Sequence, residues 1–179
     1  MSRQPTLRRG KGPSVAADAD PANLELREVT DKSELLAIMM SAWGSHSMMI
    51  DLHVYDVAEI DALGLFAPDG STAALASWTM RGDNAYLCAL HSLKPGEGVA
   101  IRMLESVIEA ARKAGARKLK AMVTNDNMPG LTLYQRRGFR LSGLYLEAID
   151  AYRSMVPTVI ETGYKGIPIH DALELEIAL

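Results

Sequence analysis

The sequence predicts one α/β (α+β) domain with a largely antiparallel sheet, and three stretches of the chain support this prediction. Three strand-like segments separated by short turns follow one another between residues 60 and 93, as in an antiparallel meander. An amphipathic helix comes next, because an apolar stripe runs from Ala100 to Ala111 with charged residues on the other side. Residues 119–139 then have the pattern of a strand, a turn, a short helix and a new strand.

The composition fits a single globular domain and excludes several classes of function. The 179 residues are 48% hydrophobic and 23% charged, which is enough to build a full core. The net charge of −3 argues against general nucleic-acid binding, and no apolar run has the length of a membrane span. A single cysteine, Cys88, excludes an intramolecular disulfide and a cysteine-based zinc site. We expect a cytoplasmic protein without a signal peptide, a metal, a membrane partner or a nucleic-acid partner.

The first elements follow from periodicity and turn residues. Residues 1–22 are expected to be a disordered tail, since they combine four basic residues with Gly, Pro, Ala and Asp and have almost nothing to bury; a nucleic-acid arm is the alternative. A single domain is expected over residues 23–179. Its first strand alternates over residues 24–29, and Thr30 or Asp31 caps a helix that ends at Gly44. Residues 45–59 are ambiguous, and we favour a second short helix followed by a loop.

Later elements alternate between strands and helices. Strands are predicted at residues 60–66, 71–80 and 85–93, with turns between them. The helix around Asn127 has clear boundaries, because Asn127 is a good N-cap, Pro129 falls in the first turn and Gly138 suits the position after the last turn. The remaining predictions are a strand after Phe139, a helix within residues 147–156 and a last strand at residues 173–177.

The stretch from Asn127 to Phe139 resembles the signature of the GNAT superfamily of N-acetyltransferases. The signature N-x-x-[A/G]-x-x-L-Y-x-x-x-G-F is present here as Asn127, Gly130, Leu133, Tyr134, Gly138 and Phe139. The resemblance implies a mixed, mostly antiparallel sheet with helices on both faces and a splayed pair of parallel strands at the cofactor site. It also implies direct transfer of the acetyl group of acetyl-CoA to a primary amine of a small molecule or peptide.

A second family motif lies upstream, where the GNAT family binds the acetyl-CoA pyrophosphate with [Q/R]-x-x-G-x-[G/A] at a helix N-terminus. Free backbone N–H groups and the helix dipole make such a terminus an anion site. Gly98-x-Ala100 matches the motif, while Pro95 replaces the Gln or Arg and Glu97 adds a negative charge; a plain glycine-rich turn is the alternative. The resemblance assigns cofactor binding to Ala89, Leu90, Ser92, Gly96, Gly98, Val99, Ala100, Asn127, Tyr134 and Arg137.

The resemblance also assigns roles in the reaction. The strand that enters the cofactor loop pairs with the pantetheine arm in the family, so a backbone N–H near Ala89 or Leu90 is expected to stabilise the oxyanion. Tyr134 occupies the position that protonates the departing thiolate, unless it is simply a buried aromatic residue. Asn127 is expected to bind the cofactor as well as cap its helix. For Arg137, a role at the helix C-terminus is the alternative to phosphate binding.

The general base is less defined. His91 titrates in the useful range near the end of the strand that enters the loop, and a structural histidine is the alternative. The region in which the family usually builds its acceptor pocket holds His46, Asp51, His53, Glu59 and Asp61, and the sequence does not rank them. The many carboxylates outside the cofactor region favour a cationic small-molecule acceptor. Cys88 is expected to be a buried structural thiol.

The C-terminal residues 166–176 are similar to a compact bacterial GNAT subgroup that carries G-I-P-I-x-D-E-x-E-x-E near its end, with Ala172 in place of a Glu. This subgroup implies no particular substrate. His170 and Asp171 are interpreted as a turn before the last strand. The alternative is that the two side chains act together as a general base at the rim of the pocket. Two rival functions remain, namely a non-catalytic acyl-CoA-binding module and a protein that kept only the fold. Family analogy suggests a homodimer through the last strands.

Overall fold

The computed structural model describes residues 20–51, 53–94 and 97–179. Residues 1–19 of the expected tail therefore lie outside the described residues. Pro95 and Gly96 of the predicted cofactor loop also lie outside them. Residues Pro21–Asn23 form a short 3-10 helix, in which the Asp20 carboxylate accepts a hydrogen bond from the Ala22 N–H. No helix in these three ranges combines the length and the apolar character needed to cross a membrane.

The described chain contains a succession of strands and helices close to the predicted one. In chain order they are β1 (Glu25–Glu28), α1 (Ser33–Ala42), β2 (Ser47–Ile50), β3 (His53–Asp56), β4 (Asp61–Phe66), β5 (Thr72–Arg81), β6 (Asn84–Ser92), α2 (Glu97–Lys113), β7 (Lys118–Thr124), α3 (Met128–Arg136), β8 (Arg140–Tyr145), α4 (Ala148–Met155) and β9 (Ala172–Ala178). The meander, the amphipathic helix, the strand–helix–strand unit and the last strand are all confirmed.

The main sheet has seven strands in the order β1-β4-β5-β6-β7-β9-β8. Every pairing in it is antiparallel except that of β6 with β7, which is parallel and is connected through α2. The last strand, β9, lies between β7 and β8 rather than at an edge. The mixed, mostly antiparallel sheet is therefore confirmed.

The parallel strands β6 and β7 separate after a short paired region. They pair only from Asn84 with Lys118 to Leu87 with Ala121, although β6 continues to Ser92 and β7 to Thr124. At the point of separation, Ser77 pairs with Ala89 and Trp78 pairs with Leu87, so Cys88 is the extra residue of a β-bulge. A bulge bends its strand, which explains why β6 turns away from β7 there. The splayed pair of parallel strands that the family resemblance implies is present.

Helices cover both faces of the sheet, as predicted. On one face, the apolar stripe of α2 packs against alternate residues of β6, such as Ala85 and Leu87. On the other face, Leu35 and Met39 of α1 pack with Tyr86 and Cys88 of the same strand. Each fully buried Leu, Val, Ile or Met side chain of these two cores contributes about 1.5–3 kcal/mol of hydrophobic stabilisation. The two cores hold β6 in place from both sides, and the strand's free edge faces the gap.

The interpretation of residues 45–59 as a short helix and a loop is wrong. They form a hairpin, in which β2 and β3 pair antiparallel from Ser47 with Asp56 to Ile50 with His53. Ile50, Tyr55 and Val57 are buried against the α1 face of the sheet, so tertiary packing selects the extended conformation. A run of apolar residues at 48–50 has no clear period, and it therefore could not distinguish the two conformations.

The segment between α4 and β9 folds over the end of the gap. Ile149, Tyr152, Val159, Ile169 and Ala172 form a small core of their own. Arg153 holds the segment by donating hydrogen bonds to the carbonyl oxygens of Val159, Ile160 and Ile169 at 2.9–3.2 Å. Its guanidinium also pairs with the Asp150 carboxylate. We call residues 157–171 the roof segment.

Candidate active site

The gap between β6 and β7 holds two adjoining cavities. The inner cavity has a volume of about 240 Å³ and lies between α1, the roof segment and the diverging strands. The outer groove has a volume of about 530 Å³ and runs past the first turns of α2 and α3. Leu90, Asn127 and Tyr134 line both of them, so the inner cavity and the outer groove meet at these three residues.

The edge of β6 that faces the gap carries unpaired backbone groups. The Leu93 N–H donates a 2.8 Å hydrogen bond to the Ala73 carbonyl oxygen, that is, back towards β5. Backbone groups of successive residues in a strand point to opposite sides, so the N–H groups of Leu90 and Ser92 point into the gap. No strand pairs with β6 there in the described part of the chain. An extended ligand can therefore add itself to this edge as a strand would.

Residues assigned to the cofactor loop have different surroundings in the structure. Ala100, in the first turn of α2, lines the outer groove, whereas the Val99 side chain is buried in the core. Gly98 faces the N-terminal 3-10 helix, since a Cβ added there would lie 2.9 Å from the Pro21 Cγ. Of this group, Ala100 is the residue whose side chain borders the space that a ligand would occupy, while Gly96 lies outside the described residues.

Tyr134 lies at the junction of the two cavities. It belongs to α3, is 8% exposed and packs its ring 5.3 Å from that of Phe139. Burial raises the pKa of Tyr134, so its hydroxyl stays protonated at physiological pH. The hydroxyl makes no hydrogen bond to any described residue. A proton donor thus faces the space between the inner cavity and the outer groove.

Asn127 is the N-cap of α3, as predicted. Its side-chain oxygen accepts a 2.9 Å hydrogen bond from the Gly130 N–H. Gly130 provides the room for this cap, because a Cβ added there would lie 2.8 Å from the Asn127 Nδ2. Asn127 also lines both cavities, so the cap and the predicted contact with a ligand are compatible.

His91 lies on β6 beyond the bulge and lines the inner cavity. Burial lowers the pKa of His91, and the imidazole is therefore neutral at pH 7. Neither ring nitrogen has a hydrogen-bond partner among the described residues. A neutral imidazole in this position can accept a proton from a group in the inner cavity.

Asp126 is a polar residue of the inner cavity that sequence reasoning missed. It is 6% exposed, and it accepts hydrogen bonds from the Tyr164 N–H at 2.8 Å and from the Thr124 hydroxyl. Gly163 makes room for it, because a Cβ added there would lie 1.9 Å from the Asp126 Oδ2. In the sequence, Asp126 stands in a run of turn-forming residues. Its burial depends on contacts with residues that lie almost forty positions later, so no local signal indicated it.

Other residues singled out from the sequence have partners elsewhere. His46 contacts the Asp56 carboxylate at 3.0 Å, Asp51 accepts a 3.0 Å hydrogen bond from the Tyr86 hydroxyl, and His53 packs on the Tyr55 ring. None of these three, nor Glu59 or Asp61, is among the described residues that line the inner cavity. Five of the candidate residues for the acceptor pocket are therefore not part of the described inner-cavity lining.

Residues at the margins of the site also have identifiable roles. Arg137, the C-cap residue of α3, contacts the Glu105 carboxylate of α2 at 3.4 Å. His170 contacts the Asp150 carboxylate at 2.7 Å, whereas Asp171 accepts a hydrogen bond from the Glu147 N–H. The Cys88 thiol is buried, and burial raises its pKa to about 12, so it is a weak nucleophile.

Comparison with known proteins agrees with this geometry. The acetyltransferase (GNAT) family matches residues 46–139, and the uncharacterized Bacillus subtilis protein YxbD is 31% identical over 80% of this chain and 91% of its own length. A Bacillus cereus protein described as an IAA acetyltransferase superposes with a TM-score of 0.69 at 17% identity, and the match covers 87% of this chain and 99% of that chain. A Bacillus subtilis acetyltransferase in complex with CoA has the same TM-score at 16% identity and the same coverage.

A GNAT family acetyltransferase from Elizabethkingia anophelis with acetyl-CoA bound gives a TM-score of 0.63 at 14% identity, over 88% of this chain and 99% of that chain. At these identities the structural matches establish the fold. The family match covers more than half of the chain, and the YxbD match covers most of it. Together with the splayed strands and the motif from Asn127 to Phe139, they show that this chain belongs to the GNAT family of acetyltransferases.

Proposed function

We propose that this protein transfers the acetyl group of acetyl-CoA directly to a primary amine. The observation that carries the proposal is the junction of the two cavities, where unpaired N–H groups of β6 and the protonated Tyr134 hydroxyl face the same space. The CoA and acetyl-CoA present in two structural neighbours support acetyl-CoA as the cosubstrate.

The outer groove fits the cofactor arm. Its free edge on β6 offers the N–H groups of Leu90 and Ser92 to the amides of pantetheine, and the first turn of α2 directs N–H groups towards an anion. The Leu90 N–H is close to the junction, so it is the donor that we assign to the thioester carbonyl oxygen. A fixed backbone donor that meets a developing oxyanion accounts for a large part of acyl-transfer catalysis.

The inner cavity supplies the groups that move protons. His91, which is neutral at pH 7, removes a proton from the acceptor ammonium and leaves an amine that attacks the thioester carbon. When the tetrahedral intermediate collapses, the C–S bond breaks and the Tyr134 hydroxyl protonates the thiolate. The phenolate then takes the second proton from the nitrogen. The products are the N-acetylated amine, CoA as a thiol and one proton on His91.

The rival function is a non-catalytic acyl-CoA-binding module. It is motivated by Pro95 and Glu97, which replace a polar residue and add a negative charge in the loop that should meet the pyrophosphate. This rival requires the outer groove, but it gives no role to an unpaired phenol and a neutral imidazole at the end of that groove. Turnover therefore separates the two functions.

The test is to incubate the full chain with acetyl-CoA and a panel of primary amines, and to measure free CoA together with the N-acetylated product. We expect the two to form in equal amounts. Tyr134→Phe should lower kcat by about 100-fold, because it removes a general acid, while acetyl-CoA affinity stays unchanged.

The matched control is Tyr145→Phe, because the Tyr145 hydroxyl donates to the Glu174 carboxylate away from both cavities. It should keep wild-type kcat. Binding of acetyl-CoA with no product from any amine would favour the non-catalytic module, and equal kcat for the two variants would exclude Tyr134 as the acid.

A further inference from the structure

We infer that the acceptor is a primary amine on a compact apolar body without an acidic group, and that Asp126 binds its ammonium group. The inference rests on the proposed function, because it names the substrate class of the same site. Three observations support it: the apolar walls of the inner cavity, the surroundings of Asp126, and a described lining without lysine or arginine.

The walls of the inner cavity are largely apolar. They include Met39, Trp43 and Met48, together with Ile160 and Ile169 of the roof segment. Methionine side chains adapt their shape to a ligand, and an aromatic or aliphatic body gains free energy when it leaves water for such a site. A volume of about 240 Å³ suits a small body rather than a long peptide.

Asp126 is the acidic side chain in the described lining of this cavity. Two neutral donors, the Tyr164 N–H and the Thr124 hydroxyl, bond its oxygens, and Asp126 forms no ion pair with any described residue. Two oxygens accept about four hydrogen bonds in all, so further acceptor sites remain. A buried carboxylate without a cation is costly, and a ligand ammonium would offset that cost.

The lining also predicts which amines are rejected. The described residues that surround the inner cavity include no lysine or arginine. A carboxylate or phosphate on the acceptor would therefore enter an apolar site beside Asp126 without a partner, and like charges repel there. Amino acids should bind much more weakly than the corresponding amines that lack the carboxyl group.

The test compares three probes of nearly the same shape, namely 2-phenylethylamine, 2-phenylethanol and phenylalanine. Each is titrated into the full chain saturated with CoA, and binding is followed by calorimetry, so that the readout does not depend on turnover. We expect the amine to bind at least about tenfold more tightly than the alcohol, as for one hydrogen bond to a charged group, and phenylalanine to bind more weakly than the amine.

Asp126→Asn keeps the size and one acceptor oxygen of the side chain but removes its charge. It should weaken binding of the amine about 10- to 100-fold, leave the alcohol unaffected and leave CoA affinity at the wild-type value. Asp51→Asn is the matched control, because it removes a carboxylate of the same size that lies outside the described lining of the cavity. It should bind the amine as the wild type does.

Several results would overturn the inference. The wild type could fail to bind the amine, bind the amine and the alcohol equally well, or bind phenylalanine more tightly than the amine. Asp126→Asn could also bind the amine as tightly as the wild type does. Titration with CoA distinguishes a wrong inference about Asp126 from a wrong proposed function. A protein that binds no CoA would contradict the assignment of the outer groove, whereas a protein that binds CoA but not the amine would contradict the role of Asp126.

Discussion

Tyr134 and His91 need opposite pKa shifts for their proposed roles, and burial supplies both. Burial disfavours the charged form of each group, so it raises the pKa of the phenol and lowers the pKa of the imidazole. The same apolar surroundings therefore keep a proton on the acid and off the base. No additional charged residue is needed to prepare the two groups.

The lowered pKa of His91 has a consequence for activity. We expect kcat/KM to fall as the pH drops through this pKa, which lies below the ordinary value of about 6.5, since the protonated imidazole cannot accept a proton. His91→Gln should lower kcat by about 100-fold and remove this acidic limb. A pH profile from pH 5 to 8 checks this expectation, and an acidic limb that survives in His91→Gln would show that another group causes it.

The same shift affects stability. Below the unfolded pKa of about 6.5, the unfolded state binds a proton that folded His91 does not, so the free energy of unfolding decreases as the pH falls through the lowered pKa. The contribution of His91 is fully present above pH 6.5. In His91→Gln, the free energy of unfolding should depend less on pH between the lowered pKa and pH 6.5. Chemical denaturation at several pH values measures this dependence.

At the residue scale, the sequence predicted what depends on local pattern. Asn127 and Tyr134 belong to one short motif, and their places at the cap and on the buried side of α3 follow from its spacing. Asp126 could not be recognised in the same way. Its role requires Gly163 and the Tyr164 N–H, which the fold brings next to it from a distant part of the chain.

At the scale of elements, the bulge at Cys88 and the roof segment create the site. The bulge turns β6 away from β7, and the roof segment closes the inner cavity with Ile160 and Ile169. The roof has little regular structure, so it depends on side chains that bond its backbone. Arg153 bonds three of its carbonyl oxygens, and the Asn125 side-chain oxygen accepts the N–H groups of His170 and Asp171.

Arg153→Met should loosen the roof segment while the rest of the domain stays folded. The Arg153 side chain is only 15% exposed, and its loss leaves three carbonyl groups of the roof segment without a donor, while the Asp150 carboxylate keeps His170 as a partner. We therefore expect the free energy of unfolding to fall by about 2–4 kcal/mol. Hydrogen exchange should be faster in residues 157–171, and amine affinity should fall more than CoA affinity.

Arg140→Met provides the control for this experiment, since Arg140 is exposed on β8 and does not contact the roof segment through any described hydrogen bond. Its exchange rates and amine affinity should match those of the wild type. Unchanged protection of the roof amides in Arg153→Met would show that Arg153 does not hold the segment.

At the scale of the whole molecule, most of the fold was predictable. Strong periodicity located the meander, α2 and β7, and the family motif implied the splayed parallel pair. Two features could not be predicted from local pattern. The β2–β3 hairpin is extended because its apolar side chains are buried on the α1 face of the sheet, and the position of β9 between β7 and β8 is set by long-range pairing.

The central claim is that the gap between β6 and β7 holds acetyl-CoA. Calorimetric titration of the full chain with acetyl-CoA tests it most directly, together with Ala100→Glu, which places bulk and a negative charge in the outer groove. Glu in the first turn suits the dipole of α2, so the fold should not suffer. Ala114→Glu is the control, because it makes the same substitution at an exposed position in the turn that follows α2.

We expect one equivalent of acetyl-CoA to bind the wild type and Ala114→Glu with micromolar affinity, and Ala100→Glu to bind at least about tenfold more weakly, since like charges repel. Absence of binding to the wild type, or equal affinity in Ala100→Glu, would contradict the assignment of this groove to acetyl-CoA.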